Sequence, residues 1–250
     1  MKKLLVVLAV VCITTISNAQ SSGNNSTFSL GLFGGRNIPR LSGGNGYELS
    51  RDFTSRAGGA FGITSSVYVG SNFSLRLDVM YSSEGGKRNG IQAFDATTLS
   101  PLVPAGTYFY ADYNNESILN YLEVPLLVKY SFPIGKSTKF YVDLGPYAGI
   151  LLNAKQKTTG SSLIYADRGQ TQVIVHVAQP FDANTDVTSD IKTLNAGFTA
   201  GIGVAQNLGS GEVFADLRGA YGITTIQKDK INGSSHTGNL LLDLGYAFHF

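Results

Sequence analysis

Apolar residues recur at every second position through most of this chain, a period that selects strands, whose successive side chains face opposite sides. Between Ile118 and Phe132, the residues Ile118, Leu122, Val124, Leu126, Val128, Tyr130 and Phe132 share one phase, while Glu123, Lys129 and Ser131 take the other. From Phe140 to Asn153, the set Phe140, Val142, Leu144, Ala148, Ile150 and Leu152 alternates with Asp143, Gly145, Gly149 and Asn153. At the C-terminus Leu240, Leu242, Leu244, Tyr246, Phe248 and Phe250 alternate with Leu241, Asp243, Gly245, Ala247 and His249, where Leu241 alone breaks the mixed phase.

The same test along the chain predicts about eight strands, near residues 28–36, 57–69, 73–85, 117–132, 138–153, 192–206, 212–226 and 238–250. Links two, four and six are short and carry Gly or Pro suited to tight turns, at Gly70–Asn72, Pro133–Ser137 and Asn207–Gly211. Links one, three, five and seven are longer and polar, around Asn37–Arg56, Gly86–Glu116, Ala154–Ile191 and Gln227–Thr237. A water-soluble sandwich has no reason to alternate short and long links strictly. An outer-membrane barrel has short periplasmic turns and longer extracellular loops. Lipid offers no hydrogen-bond partners, so spanning strands must close without a free edge, and an even strand number does this in antiparallel order. The expected fold is therefore all-β, a closed antiparallel transmembrane β-barrel of about eight strands.

Composition agrees. Charged residues make up 14% of the 250 residues and glycine numbers 30, against about 25% charged and about 7% Gly in ordinary domains. Beyond the first fifteen residues no apolar run approaches the roughly 20 residues of a membrane helix. Met1-Lys2-Lys3, the apolar stretch Leu4–Ile13 and the small residues Ser17 and Ala19 read as a secretory signal peptide over 1–19, cleaved after Ala19, with the barrel domain over 20–250. Losing that leader removes the single cysteine, Cys12, and leaves basic and acidic residues balanced, which excludes disulfides, thiolate metal sites and an electrostatic footprint for nucleic acid. Aromatics gather near the predicted periplasmic ends at Tyr68, Phe73, Tyr130, Phe132, Phe140, Tyr141, Phe214, Phe248 and Phe250, as an interfacial girdle would.

The run Asn120-Tyr121-Leu122-Glu123-Val124-Pro125-Leu126-Leu127-Val128-Lys129-Tyr130, followed by Phe140-Tyr141-Val142-Asp143-Leu144-Gly145-Pro146-Tyr147, resembles the central hairpin of the PorT-like outer-membrane β-barrel family of Bacteroidetes. The aromatic-Gly opening Phe28–Gly35 and the terminal phenylalanine extend the likeness in layout over the mature chain. The resemblance implies a barrel of about eight strands in the outer membrane of a Gram-negative bacterium. One branch of that family is similar to a component of gliding-associated secretion, and the hairpin does not separate the branches. Tyr246, Phe248 and Phe250 resemble the C-terminal signal read by the barrel assembly machinery, which makes that machinery a partner during biogenesis.

With the apolar phase against outer-membrane lipid, the other phase fills the lumen with Arg76, Asp78, Glu84, Glu123, Lys129, Asp143, Asp216, Arg218 and Asp243. An eight-stranded barrel is just wide enough for side chains to fill it. These charges are expected to pair, with partners on neighbouring strands, into a plug that fixes register; a narrow path for small solutes is the competing reading. Glu123 and Lys129 lie about 20 Å apart along one strand and cannot pair with each other. Glycines within the strands suit bends and close approaches at barrel corners. No enzymatic activity and no cofactor is expected. A rim hydrolase would need convergent nucleophile, base and orienting group, and the histidines, His176, His236 and His249, are scattered, with Ser234-Ser235-His236 the nearest approach to a cluster. Links longer than about 12–15 residues are usually functional or disordered. Tyr108, Phe109, Tyr110 and Tyr113 are therefore candidates for contact with an extracellular or envelope protein, the alternative being that these segments extend the barrel wall.

Overall fold

The computed structural model describes residues 27–250, so the signal peptide expected over 1–19 lies outside the described residues. The strands are β1 Phe28–Ser42, β2 Gly58–Val69, β3 Phe73–Asp95, β4 Tyr108–Pro133, β5 Thr138–Thr159, β6 Ser161–Tyr165, β7 Val173–Pro180, β8 Ala183–Asp186, β9 Leu194–Leu208, β10 Gly211–Gly222 and β11 His236–His249. Eight of them, in the order β4-β3-β2-β1-β11-β10-β9-β5, pair antiparallel, and β4 pairs with β5 to close the ring. The strands β6, β7 and β8 lie outside it, in the long link between β5 and β9.

The alternation places side chains as the sequence requires. Outward positions are apolar and exposed, among them Leu32 at 67%, Leu144 at 62% and Leu244 at 63%, the values expected of a face meant for lipid rather than water. Leu241, the one apolar residue on the mixed phase of its strand, is buried inside with Phe33, Met80, Tyr141 and Phe214. The short turns fall where expected, and Gly70 and Gly209 hold positive φ there, at 79° and 63°, a conformation that favours glycine. At the seam between first and last strands, the Phe250 amide donates to the Phe28 carbonyl at 2.8 Å and the two rings lie 6.2 Å apart.

Three expectations need correction. Tyr68, Tyr141 and Phe214 are not part of the aromatic girdle: Tyr141 and Phe214 are buried in the lumen, on the phase of Asp143 and Asp216, and Tyr68 shares the inward phase of Thr64 and Ser66 and lines the periplasmic mouth, whereas Phe73, Phe132, Phe248 and Phe250 do face outward. The strand expected over 212–226 stops at Gly222. Most of the link expected over Gly86–Glu116 is strand, because β3 and β4 run 23 and 26 residues and stay paired from Asp95↔Tyr108 downward. A membrane crossing takes about 9–11 residues, so these strands carry the wall well above the lipid. There the outward face meets water, and the apolar phase that marks a spanning strand has no cause to continue.

Candidate functional site: a closed lumen below an extracellular cavity

The strands β3, β5, β10 and β11 bring Arg76 and Asp78, Asp143, Asp216 and Arg218, and Asp243 to one level inside the barrel, all nearly fully buried. Arg76 Nε lies 2.9 Å from Asp78 and its Nη1 2.6 Å from Asp216, with Asp143 at 3.6 Å. Arg218 reaches Asp78 at 2.6 Å and Asp243 at 2.8 Å. The partners were expected on neighbouring strands. Only Arg218–Asp243 fits that; β3 and β10 stand four places apart in the ring of eight, so Arg76–Asp216 and Arg218–Asp78 bridge opposite walls. An arginine is long enough to cross a barrel this narrow, and its planar fork can hold two carboxylates at once. Phe33 and Phe214 flank the guanidiniums, with Arg76 5.2 Å from the Phe214 ring and Arg218 5.3 Å from Phe33, and the Tyr141 hydroxyl donates to Asp216.

Two glycines make the crossing feasible. A Cβ at Gly203 would run into the Tyr141 ring and Asp216, and one at Gly201 into Arg218 and Asp143. On the periplasmic side Lys129 lies over the Tyr141 ring, 3.6 Å from its centroid, and 3.9 Å from Glu212, which also meets Lys139 at 3.9 Å and His249 at 3.6 Å. Glu212 was missed from the sequence, although it shares the phase of Phe214, Asp216 and Arg218. Of the remaining acids, Glu84 has no ion pair among the described residues but accepts hydrogen bonds from Asn37 at 2.8 Å, Ser82 at 2.6 Å and Asn239 at 2.6 Å. Glu123 is buried without a hydrogen-bond or ion-pair partner among the described residues and lines a cavity of ≈ 10 Å³ with Arg218, Tyr147 and Asn239, room for about one water. A vestibule of ≈ 790 Å³ at the periplasmic mouth, lined in part by Tyr68, Lys139 and His249, thus leads to a lumen filled by side chains.

Toward the extracellular end, Asn195 donates to Thr237 at 2.8 Å and accepts from Thr224 at 2.7 Å, beside Tyr147. Above this level the interior turns apolar around Leu41, Phe53, Leu119, Leu151, Ile191 and Ile226. A cavity of ≈ 280 Å³ opens over that floor, its walls from the upper parts of β3 and β4 and from the links 43–57, 187–193 and 223–235. Arg88 and Asn115 line it. The Arg88 guanidinium is buried over the Phe53 ring at 4.9 Å, has no carboxylate within ion-pair distance among the described residues, and makes one long hydrogen bond, 3.5 Å to the Glu48 carbonyl. Burial pulls its pKa below the ordinary arginine value. Both polar atoms of the Asn115 amide are buried without a hydrogen-bond partner among the described residues.

A ring of eight antiparallel strands with an apolar outside and a charged, filled inside is the architecture of a small outer-membrane barrel. Sequence comparison agrees: the family described as outer membrane protein beta-barrel domain matches residues 18–228. The chain belongs to that family. Its place in the outer membrane of a Gram-negative bacterium follows from the family. None of the curated proteins matches the chain. Solved structures similar to this barrel include Neisserial surface protein A, at 13% identity and a TM-score of 0.41 over 90% of this chain and 98% of that one. OprG of Pseudomonas aeruginosa gives 11% identity and a TM-score of 0.41 over 90% and 98% of the two chains. Ail of Yersinia pestis gives 12% identity and a TM-score of 0.36 over 88% and 98%. These likenesses are distant.

The remaining predicted residues fall as follows in this outer-membrane barrel. Tyr246, Phe248 and Phe250 end the last ring strand, with Tyr246 and Phe248 edge to face at 4.8 Å and the Tyr246 hydroxyl donating to the Leu208 carbonyl at 3.1 Å. Tyr108, Phe109 and Tyr110 lie on the raised part of β4, partly exposed rather than in a loop. Tyr113 is not an exposed contact residue: it is 6% exposed and stacks on Phe181 at 4.5 Å, because it shares the inward phase of Ala111 and Asn115. His176 is on β7, His236 begins β11 at the extracellular end and His249 ends it at the periplasmic end.

Proposed function

We propose that this outer-membrane barrel is a non-conducting protein whose role is structural or loop-mediated binding, exercised by the part that stands above the lipid. The observation that carries this reading is the pair of reciprocal bridges, Arg76–Asp216 and Arg218–Asp78, which tie opposite walls across the lumen. A conducting path would have to break charge-assisted bonds in a setting where a lone buried charge costs several kcal/mol. Planar-bilayer recording on purified protein tests it. A silent membrane is expected; discrete, reproducible openings would make the barrel a narrow porin for small solutes instead. The binding partner is an extracellular or envelope protein meeting the raised sheet around Tyr108, Phe109 and Tyr110.

The reading includes no enzymatic step. His236, the nearest approach to a base, stacks on Tyr221 at 6.0 Å and its Nδ1 has no hydrogen-bond partner among the described residues, so none of their carboxylates orients the ring. The hairpin sequence over 120–147 supports membership of the PorT-like branch in Bacteroidetes, with export by a leader cleaved after Ala19 and insertion guided by Tyr246, Phe248 and Phe250. N-terminal sequencing of protein from outer-membrane fractions should begin at Gln20. A deletion strain that secretes and glides normally would separate this chain from the gliding-associated secretion branch.

A further inference from the structure

We propose that the cavity above the lumen is a ligand site for a small apolar molecule bearing one carboxylate, with the charge set against Arg88 and the polar edge of the molecule against the Asn115 amide. The inference rests on the reading of the raised part as a binding head and gives that head a chemical target. Three observations converge. The cavity measures ≈ 280 Å³, the volume of about nine waters at ≈ 30 Å³ each and close to the lower end of ligand pockets, ≈ 300 Å³. Its wall is mainly apolar, with Leu41, Phe53, Leu119, Ile191 and Ile226 beneath, which favours a hydrocarbon or aromatic body over water. Within it lie a buried guanidinium with no carboxylate within ion-pair distance among the described residues and a buried amide whose oxygen and nitrogen have no hydrogen-bond partner there.

Buried arginines are ordinarily paired, and here the protein itself shows the rule, since Arg76 meets three carboxylates and Arg218 two. A guanidinium stays charged at any ordinary pH, so Arg88 calls for an anion, and the planar fork suits a carboxylate. The amide of Asn115 can donate to one oxygen and accept from a hydroxyl or amide on the ligand. Two acids, Asp95 and Asp190, also line the cavity. Asp95 is committed to capping the turn at 96–98, accepting from the Thr97 amide at 2.9 Å and its hydroxyl at 2.8 Å, and Asp190 is exposed at the rim, where water screens it. The cation is the group that is both buried and unpaired.

The test uses the full barrel in phospholipid nanodiscs, titrated with 3-phenylpropionate and with its neutral isostere 3-phenylpropionamide, by saturation-transfer NMR and calorimetry. Saturable binding of the acid is expected, with the amide weaker by about tenfold or more, the effect of one charge-assisted hydrogen bond. Arg88→Gln should abolish the preference for the acid, Arg88→Lys should keep part of it, and Ala93→Leu, which narrows the cavity, should weaken both probes. Equal affinity for acid and amide, an acid affinity unmoved by Arg88→Gln, or no saturation by either probe up to about 10 mM would each overturn the proposal. Unchanged heat-modifiable migration shows that each variant remains a folded barrel; if Arg88→Gln does not fold, the acid-amide comparison on the unaltered protein and Arg88→Lys still decide the matter. Conductance on the same preparation keeps the two readings apart. A silent barrel without acid preference removes only the ligand site, and an acid-selective barrel with discrete openings removes only the closed lumen.

Discussion

The membrane-spanning lumen and the cavity above it both bury arginines, and they treat them in opposite ways. In the lumen Arg76 meets three carboxylates and Arg218 two, and Phe33 and Phe214 close over them. In the cavity Arg88 has a phenylalanine beneath it and no carboxylate within ion-pair distance among the described residues. The contrast separates two uses of buried charge. A cation whose partners come from opposite walls holds those walls at one register and spacing. A cation with a ring beneath it, one long hydrogen bond and no carboxylate ties no walls together, costs desolvation, and is available to an anion that arrives.

The largest effect should come from breaking the first arrangement. Arg76→Ala leaves Asp78, Asp216 and Asp143 facing one another inside the barrel and should cost about 3–5 kcal/mol. The loss would show as a lower temperature of conversion between folded and unfolded gel mobility; an unchanged temperature would mean that the bridges do not hold the walls. Next comes Gly203→Ala, whose methyl group must displace Tyr141 or Asp216, with an expected loss of about 1–3 kcal/mol in the same assay. Arg88→Gln and Glu123→Gln sharpen the comparison from the other side. Each removes a buried ionisable group that has no ion-pair partner among the described residues, so stability should stay within about 1 kcal/mol of the parent or rise, whereas a loss as large as that of Arg76→Ala would show that a bond to a neighbour had been broken.

The smallest effect belongs to the surface. Asp52, in the link between β1 and β2, is hydrogen-bonded to Arg168 beyond β6, and that contact holds its carboxyl below the usual range. A depressed folded value contributes stability above the unfolded value of about 3.9 and loses it as pH falls through the folded one. Both side chains are more than a third exposed, so water screens the pair and the contribution is slight. Protease cutting of the 161–186 segment on whole cells should rise only below about pH 4, and Asp52→Asn should give the low-pH pattern at pH 7. A segment cut equally at both pH values in both proteins would show that the pair anchors nothing.

How much of this was legible in advance depends on where each residue sits relative to the lipid. Phe140, Val142, Leu144, Ile150 and Leu152 announced their strand because lipid demands an apolar outer face. The nine lumen charges fell out as the opposite phase, and all nine are buried. The stretch Lys87-Arg88-Asn89-Gly90 gave no such signal, since both faces of a wall above the membrane can be polar, and it read as a loop although β3 continues through it to Asp95. Tyr113 was misplaced for the same reason: once its segment is a strand, it falls on the inward phase.

The order of short and long links and the period of two were enough to set an antiparallel barrel, its orientation and the nine charges that fill it, though not Tyr141, Phe214 or Glu212, because these follow from local geometry: a strand alternates its side chains, and a tight turn needs its glycine. Which charges meet was decided only by the closed ring. Arg76 and Asp216 are 140 residues apart in sequence and four strands apart around the barrel, and they touch because closure and strand tilt bring opposite walls within one arginine's reach. The isolation of Arg88 is likewise a tertiary fact. Arg88 follows Lys87 and precedes Asn89 and Gly90, a polar run that says nothing of burial; only the packing of Phe53, Asn115 and the links above the lumen leaves it buried with no carboxylate within ion-pair distance among the described residues.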